Sequence, residues 1–452
     1  MKKVLCFMLA TMFIMSLADM AAAEAPKPKL TIIYRDANDL RENDSGYKWI
    51  MSVYEKWDKK DEVELELLPQ VGSGDNMFTK ADLMMQSAAT CPDLYIGDSF
   101  QAVSDGAAGY LLDLKPYLEN WDTWNNGSFY EASKEMVIDD KGAIYGVPCE
   151  TDARGMWMNK QILAEAGLGE DWEPKNWEDL LNGLRQIKER CPDVYPLWYK
   201  AVANSEGTTV NNMLLFLMGT QDSLYDWQNS KWNISSQGLW DTLTFYETTA
   251  REGLTGPVSE MVNSSADSFG NQYLREGKLA IIIGGSWVAN AQFADGAAFE
   301  WEGYADILKF VRVPQQFNTG DDFVTVSGGY ALLIPALTDI PDLAFDFLTA
   351  MMDDVEALTL RNIQNGNLAC RNISDAPSYA EYTARPFVQE ATEFLEWTKY
   401  RPQISTYPTV SAGLSTALEA VITGTDAREA MEDFAYDMVN ALDGDNVQFL
   451  LN

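Results

Sequence analysis

Apolar and polar positions follow two rhythms along the first hundred residues. Thr31 to Tyr34 (TIIY) is a short apolar run that predicts a first strand, and the polar loop RDANDLREND follows it. From about 47 to 59, Trp49, Ile50, Val53, Tyr54 and Trp57 recur at three- and four-residue spacing, which predicts a helix with one apolar face. VELELL at 63–68 changes to a two-residue period and predicts a second strand. A helix over about 76–89 and the strand DLYIG at 93–97 complete a strand–helix–strand–helix–strand series. That alternation predicts an α/β fold, a parallel sheet with helices on both faces.

After GAIYGVP (142–148) the pattern changes. Residues 160–260 carry mainly helical spacing, with aromatic-rich turns at 171–177 and 221–232. Strand-like runs return at KLAIIIGG (278–285), KFVRVP (309–314) and YALLIP (330–335), followed by a helix at about 341–353. ATCPDLYIG and ERCPDVYPL each read as a helix end, a turn and a strand. From Asp354 onward the chain is again helical, with an amphipathic pattern over 412–442. No repeat of solenoid period and no low-complexity linker is present.

The N-terminus stands apart. Lys2 and Lys3 precede an apolar run from Val4 to Leu17, and Ala21, Ala22 and Ala23 supply a small-residue cleavage site, so residues 1–23 are predicted to be a secretion signal. Cys6 lies inside the apolar run, too early for a lipid anchor, and a soluble periplasmic protein is expected. No later run approaches the roughly 18–20 apolar residues of a membrane span.

Composition narrows the chemistry. A chain of 452 residues exceeds the roughly 250–300 at which single cores stop growing, so two lobes are expected. Sixty-eight acidic residues against 33 basic ones make nucleic acid and anionic membranes poor partners. Histidine is absent, which removes Ser-His-Asp and Cys-His catalysis, His-ligated zinc and a histidine general base. Carboxylate-based glycoside hydrolysis survives that test. Cys91, Cys149, Cys191 and Cys370 form no C-x-x-C pair, so neither a metal nor a redox motif is predicted; bridged and free states both stay open. No cofactor is implied, and scattered Asp/Asn loops leave room for a structural calcium ion.

Four segments carry a family resemblance: CPDLYIGDSFQAVSDGAAGYLLDL (91–114), YGVPCETDARGMWMNK (145–160), LREGKLAIIIGGSWVAN (274–290) and VSGGYALLIPA (326–336). Together, in this order, they resemble the bacterial extracellular solute-binding proteins of sugar importers, the group that includes maltose-binding protein. The resemblance implies a two-lobed type II periplasmic-binding-protein fold, each lobe a mostly parallel sheet flanked by helices. Lobe 1 would hold 24–147 and 312–355, and lobe 2 would hold 148–311 and 356–452, with hinge strands near Val147 to Cys149 and Val311 to Pro314. It further implies a monomer that binds a carbohydrate in the cleft and passes it to ABC transporter permease subunits.

A neutral sugar presents C–H faces that stack on aromatic rings and hydroxyls that both donate and accept, so its site needs rings with charged rims. Trp287, after an apolar strand and a Gly-Gly-Ser turn, is the leading platform candidate. Asp152 and Arg154, just past the implied hinge, could grip hydroxyls or pair with each other. Asp98 and Asp36 follow strands, where each is a rim acceptor or a cap. Trp198 and Tyr199 align with an aromatic segment of the family, one expected to face ligand and the other to pack. Gly328, Gly329 and Tyr330 offer close backbone approach and another ring, and Tyr407 precedes the terminal helix. Arg371 falls near a basic position typical of the family and is read as a surface residue. Two rivals keep their place beside this reading: a secreted glycoside hydrolase using two carboxylates, and an adhesion module without a cleft.

Overall fold

The computed structural model describes residues 27–36, 39–72, 74–317 and 323–451. The predicted secretion signal at 1–23 lies outside the described residues.

β1 (Lys29–Asp36) is buried along most of its length because it is paired on both sides. After it, α1 (Ser45–Tyr54) starts at Asp44, whose carboxylate accepts from the Gly46 and Tyr47 amides, and it turns Trp49, Ile50 and Val53 inward. β2 (Glu64–Val71) is an edge strand, so its glutamates face water while its leucines are half covered. α2 (Gly74–Met85), β3 (Leu94–Asp98) and α3 (Ser99–Ala107) follow. β4 (Val147–Pro148) ends this part. The first sheet has the order β2-β1-β3-β12-β4, in which β2, β1 and β3 run parallel and β12 (Tyr330–Leu333) returns antiparallel between β3 and β4.

The second sheet has the order β10-β5-β9-β6. β5 (Arg154–Asn159) and β9 (Leu279–Gly285) are antiparallel and buried throughout. β6 (Tyr195–Trp198) runs parallel to β9, and β10 (Leu308–Val311) closes the other edge against β5. Its helices include α4 (Trp177–Arg190), α5 (Gln237–Arg251) and α6 (Ala266–Arg275). A small separate sheet formed by β7 (Tyr225–Asp226), β8 (Lys231–Ser235) and β14 (Val447–Phe449) replaces the turn and helix expected at 221–232 and at the C-terminus. Burial on one side against the helix Ala427–Leu442 gives those short segments a pairing role that their own pattern does not announce. α7 (Pro341–Asp353) and α8 (Val355–Asn365) lead to β13 (Thr398–Tyr400), which pairs with β11 (Thr325–Ser327). α9 (Tyr407–Thr423) and α10 (Ala427–Leu442) divide the expected 412–442 helix at Gly424, whose φ of 122° ends the first of them.

The chain passes between the two sheets at 149–153 and again at 312–329. Two backbone contacts fix the first passage. Thr151 and Leu368 exchange both amide–carbonyl bonds, and Gly329 lies so near Glu150 that a Cβ would sit 2.2 Å from its carbonyl oxygen. Gly329 also holds φ at 140°, a region that only glycine enters readily. Beside it, the Glu150 carboxylate pairs with Arg361, whose guanidinium stacks over Trp49 at 4.6 Å. Arg371 is buried rather than on the surface: it donates to the Met352 carbonyl at 2.6 Å and faces the Phe129 ring. A carbonyl acceptor and an aromatic face compensate its charge there. The four described cysteines are all free thiols. No helix among the described residues is long and apolar enough to cross a membrane.

Candidate functional site

Several strands of both sheets end towards one place. β3 ends at Asp98, and β9 ends at Gly285, two residues before Trp287. β5 runs opposite to β9 and pairs Arg154 with Gly285, so its start lies at the same edge. β12 likewise pairs Tyr330 with Asp98. Ligand sites in α/β sheets form outside strand carboxyl ends for this topological reason.

Arg401, the residue after β13, is the centre of the arrangement and was not among the sequence candidates. It is 2 % exposed, and it donates to Asp98 at 2.9 Å, to the Ser99 hydroxyl at 2.9 Å and to Glu206 at 3.0 Å. Asp98 also caps α3 by accepting from the Phe100 amide. Arg401 therefore joins a carboxylate at the end of the first sheet to one in the helical layer of the second. Tyr407 and Ser411 of α9 also donate to Glu206, the tyrosine at 3.0 Å. Glu206, which starts a short helix in the sequence NSEGTT, was missed because nothing local distinguishes it from other surface-type acids.

The second cation is Arg154. It pairs with Asp152, donates to the Val326 carbonyl at 3.1 Å, and contacts the Asn211 amide oxygen at 3.1 Å through Nε. Asp152 also accepts from the Gly328 amide at 2.9 Å. Gly328 admits both arginines: a Cβ there would lie 2.7 Å from Arg401 and 3.4 Å from Arg154. The array thus contains three carboxylates and two guanidinium groups. Burial pushes the Asp152 and Glu206 carboxyls above their ordinary range, against the opposing pull of Arg154 and Arg401 respectively. Burial also lowers Arg154, partly offset by Asp152, whereas Asp98 and Glu206 outweigh burial at Arg401 and raise it. The Nε of Arg401 has no hydrogen-bond partner among the described residues, a buried donor available to an oxygen acceptor.

Trp287 borders this array and is half-buried. Its ring folds back over Gly285, where a Cβ would overlap the indole, and the Arg154 guanidinium lies 5.2 Å from its centroid. Tyr330, opposite Asp98 in the first sheet, accepts from Arg35 at 3.4 Å. Asp152, Arg154, Asp98, Trp287, Gly329 and Tyr330 therefore come together from four separate segments. Asp36 does not join them; its carboxylate accepts from the Leu40 and Arg41 amides and shapes its own loop. Trp198 and Tyr199 are both enclosed. Trp198 is 1 % exposed, donates to the Ala266 carbonyl at 3.0 Å, and lies between Gly256 and Gly270 with Tyr273 at its edge. Tyr199 meets Tyr246 at 4.8 Å and shares a hydroxyl bond with Thr249. Tyr407 reaches the array only through its hydroxyl, while its ring packs near Trp232.

Comparison with known proteins gives concordant results. The family model for bacterial extracellular solute-binding proteins matches residues 41–356. Maltodextrin-binding protein MdxE of Bacillus subtilis is 24% identical over 354 residues, which cover 73% of this chain and 72% of that protein. Among solved structures, a solute-binding protein from Thermotoga lettingae bound with α-D-tagatose superposes with a TM-score of 0.75 at 22% identity, covering 92% of this chain and 99% of that one. Maltose-bound MalE3 of T. maritima gives a TM-score of 0.75 at 19% identity, covering 92% and 100%.

Proposed function

The chain belongs to the bacterial extracellular solute-binding proteins, and on that premise we propose that it is the substrate-binding component of an ABC-type carbohydrate importer. It takes a mono- or oligosaccharide between two lobes and passes it, chemically unchanged, to permease subunits. Residues 24–147 and 312–355 form the first lobe in this reading, and 148–311 and 356–452 the second. The protein acts as an exported, periplasmic monomer.

The observation that carries the proposal is the Asp98–Arg401–Glu206 bridge beside Arg154, Asp152 and Trp287. Charged donors and acceptors at the ends of both sheets suit hydroxyls that donate and accept, and hydrogen bonds to charged groups are the stronger kind. The half-buried indole supplies a flat apolar face for the C–H side of a sugar ring. Tagatose and maltose, the ligands of the structural relatives, belong to this chemical class. A thermal-shift screen of monosaccharides, oligosaccharides and polyols tests the reading. One or a few carbohydrates should stabilise the fold, by about 2.7 kcal/mol at a hundredfold excess over Kd, and be recovered intact. If no carbohydrate moves the melting temperature, or if the bound one is cleaved, the reading is wrong.

A further inference from the structure

Beneath the first sheet's end of the array lies a second polar cluster that the proposed binding function does not use. Asp82 on α2, Gln101 and Asp105 on α3, and Tyr95 on β3 converge there. Tyr95 is 1 % exposed and Asp105 is 5 % exposed. Phe78 and Phe100 bring the two helices together edge to face at 5.0 Å. Gln101 donates to Asp82 Oδ2 at 3.3 Å. Asp82 Oδ1, Gln101 Oε1, Asp105 Oδ2 and the Tyr95 hydroxyl are all buried and have no hydrogen-bond partner among the described residues. Buried polar atoms are nearly always satisfied, so four unmet oxygens in one place require a common cause.

The electrostatics point the same way. Burial, and then Asp82, push the Asp105 carboxyl up to about 8. Burial pushes Asp82 up to about 6, against the hydrogen bond from Gln101. No lysine or arginine acts on either carboxyl, although both carboxylates act on the Tyr95 hydroxyl. When ionised, the two carboxyls have no internal counterion.

We propose that Asp82, Asp105, Gln101 and Tyr95 form a binding site for a divalent cation, and that the ion is Ca2+. All four donors are oxygens, the preference of a hard cation, and nitrogen and sulfur ligands are missing from the group. Two carboxylates balance a charge of +2, while the amide and phenol oxygens extend the shell. Ca2+ tolerates an irregular shell of six to eight oxygens, completed by water, whereas Mg2+ demands near-octahedral geometry and sheds its water reluctantly. The location gives the ion a role. Gln101 and Asp105 lie on α3, whose capping residue Asp98 and first residue Ser99 hold Arg401. A cation would fix that helix from below and so brace one wall of the array.

The test uses the full chain, stripped with chelator and free of sugar, so that its outcome is independent of the carbohydrate reading. Ca2+ is titrated while thermal melting is followed, and Tb3+ luminescence excited through tyrosine and tryptophan reports occupancy directly. The wild type should melt higher with Ca2+ and show Tb3+ emission that Ca2+ displaces. Asp105→Asn should weaken Ca2+ binding at least tenfold, and Asp82→Asn, at a more exposed position, supplies the same readout if Asp105→Asn fails to fold. No Ca2+-dependent shift in the wild type would overturn the proposal. So would undiminished Ca2+ binding in the folded variants, or stronger binding of Mg2+ than of Ca2+.

Discussion

Trp198 and Trp287 stand at the ends of neighbouring parallel strands in one sheet, yet they have opposite surroundings. Trp198 closes β6 and is covered by α6, with glycines on either side of the indole and its N–H bonded to a carbonyl. Trp287 follows β9, lies over Gly285, the strand partner of Arg154, and has the Arg154 guanidinium 5.2 Å from its centroid. The two rings differ little in sequence setting, since both follow apolar strands. What assigns their work is the element standing opposite. A helix with a glycine at the contact makes a slot for a structural ring, and a charged strand neighbour leaves the other ring beside a polar array.

The largest test of this contrast is Trp198→Ala. Emptying a closed slot of that size should cost about 3–5 kcal/mol, seen as a fall in the denaturant midpoint. If the midpoint holds and only ligand affinity falls, the two rings have been assigned the wrong way round. Arg401→Met comes next: it leaves the buried Glu206 and the partly buried Asp98 without their shared cation, and about 3 kcal/mol of stability should be lost in the same unfolding measurement. Trp287→Ala should leave the midpoint nearly in place but weaken a carbohydrate found by the screen by about 1 kcal/mol or more, measured by calorimetry. Equal affinity in a folded Trp287→Ala protein would remove that ring from the site. The smallest effect is expected for Tyr199→Phe, where loss of the bond to Thr249 should cost about 1 kcal/mol of stability and none of affinity.

The alternating first hundred residues made the first sheet legible, because β1, β2 and β3 each keep a pattern set by their neighbours. β5 was harder: Arg154–Asn159 is buried on both faces, so RGMWMN has no two-residue rhythm to read. β14 was hidden for a different reason, since it is three residues long and pairs with β8 from more than 200 residues away. The candidate site divides in the same way. Asp98 and Trp287 could be named because they adjoin recognisable strands, and Arg154 because it lies just past the hinge that the family resemblance implies. Glu206, at the start of a short helix, and Arg401, in the loop after β13, are 195 residues apart, and the packing of α9 against both halves brings them within a hydrogen bond. Trp198 and Tyr199 show the converse error, in which an aromatic pair at a strand end is taken as a surface before its cover is known.

Gly329 and Glu150 touch through main-chain atoms alone, at the point where the two connecting passages run side by side. Such a contact leaves no side chain between the two passages to compress or turn, so even one added methyl group at residue 329 would wedge the two backbones apart.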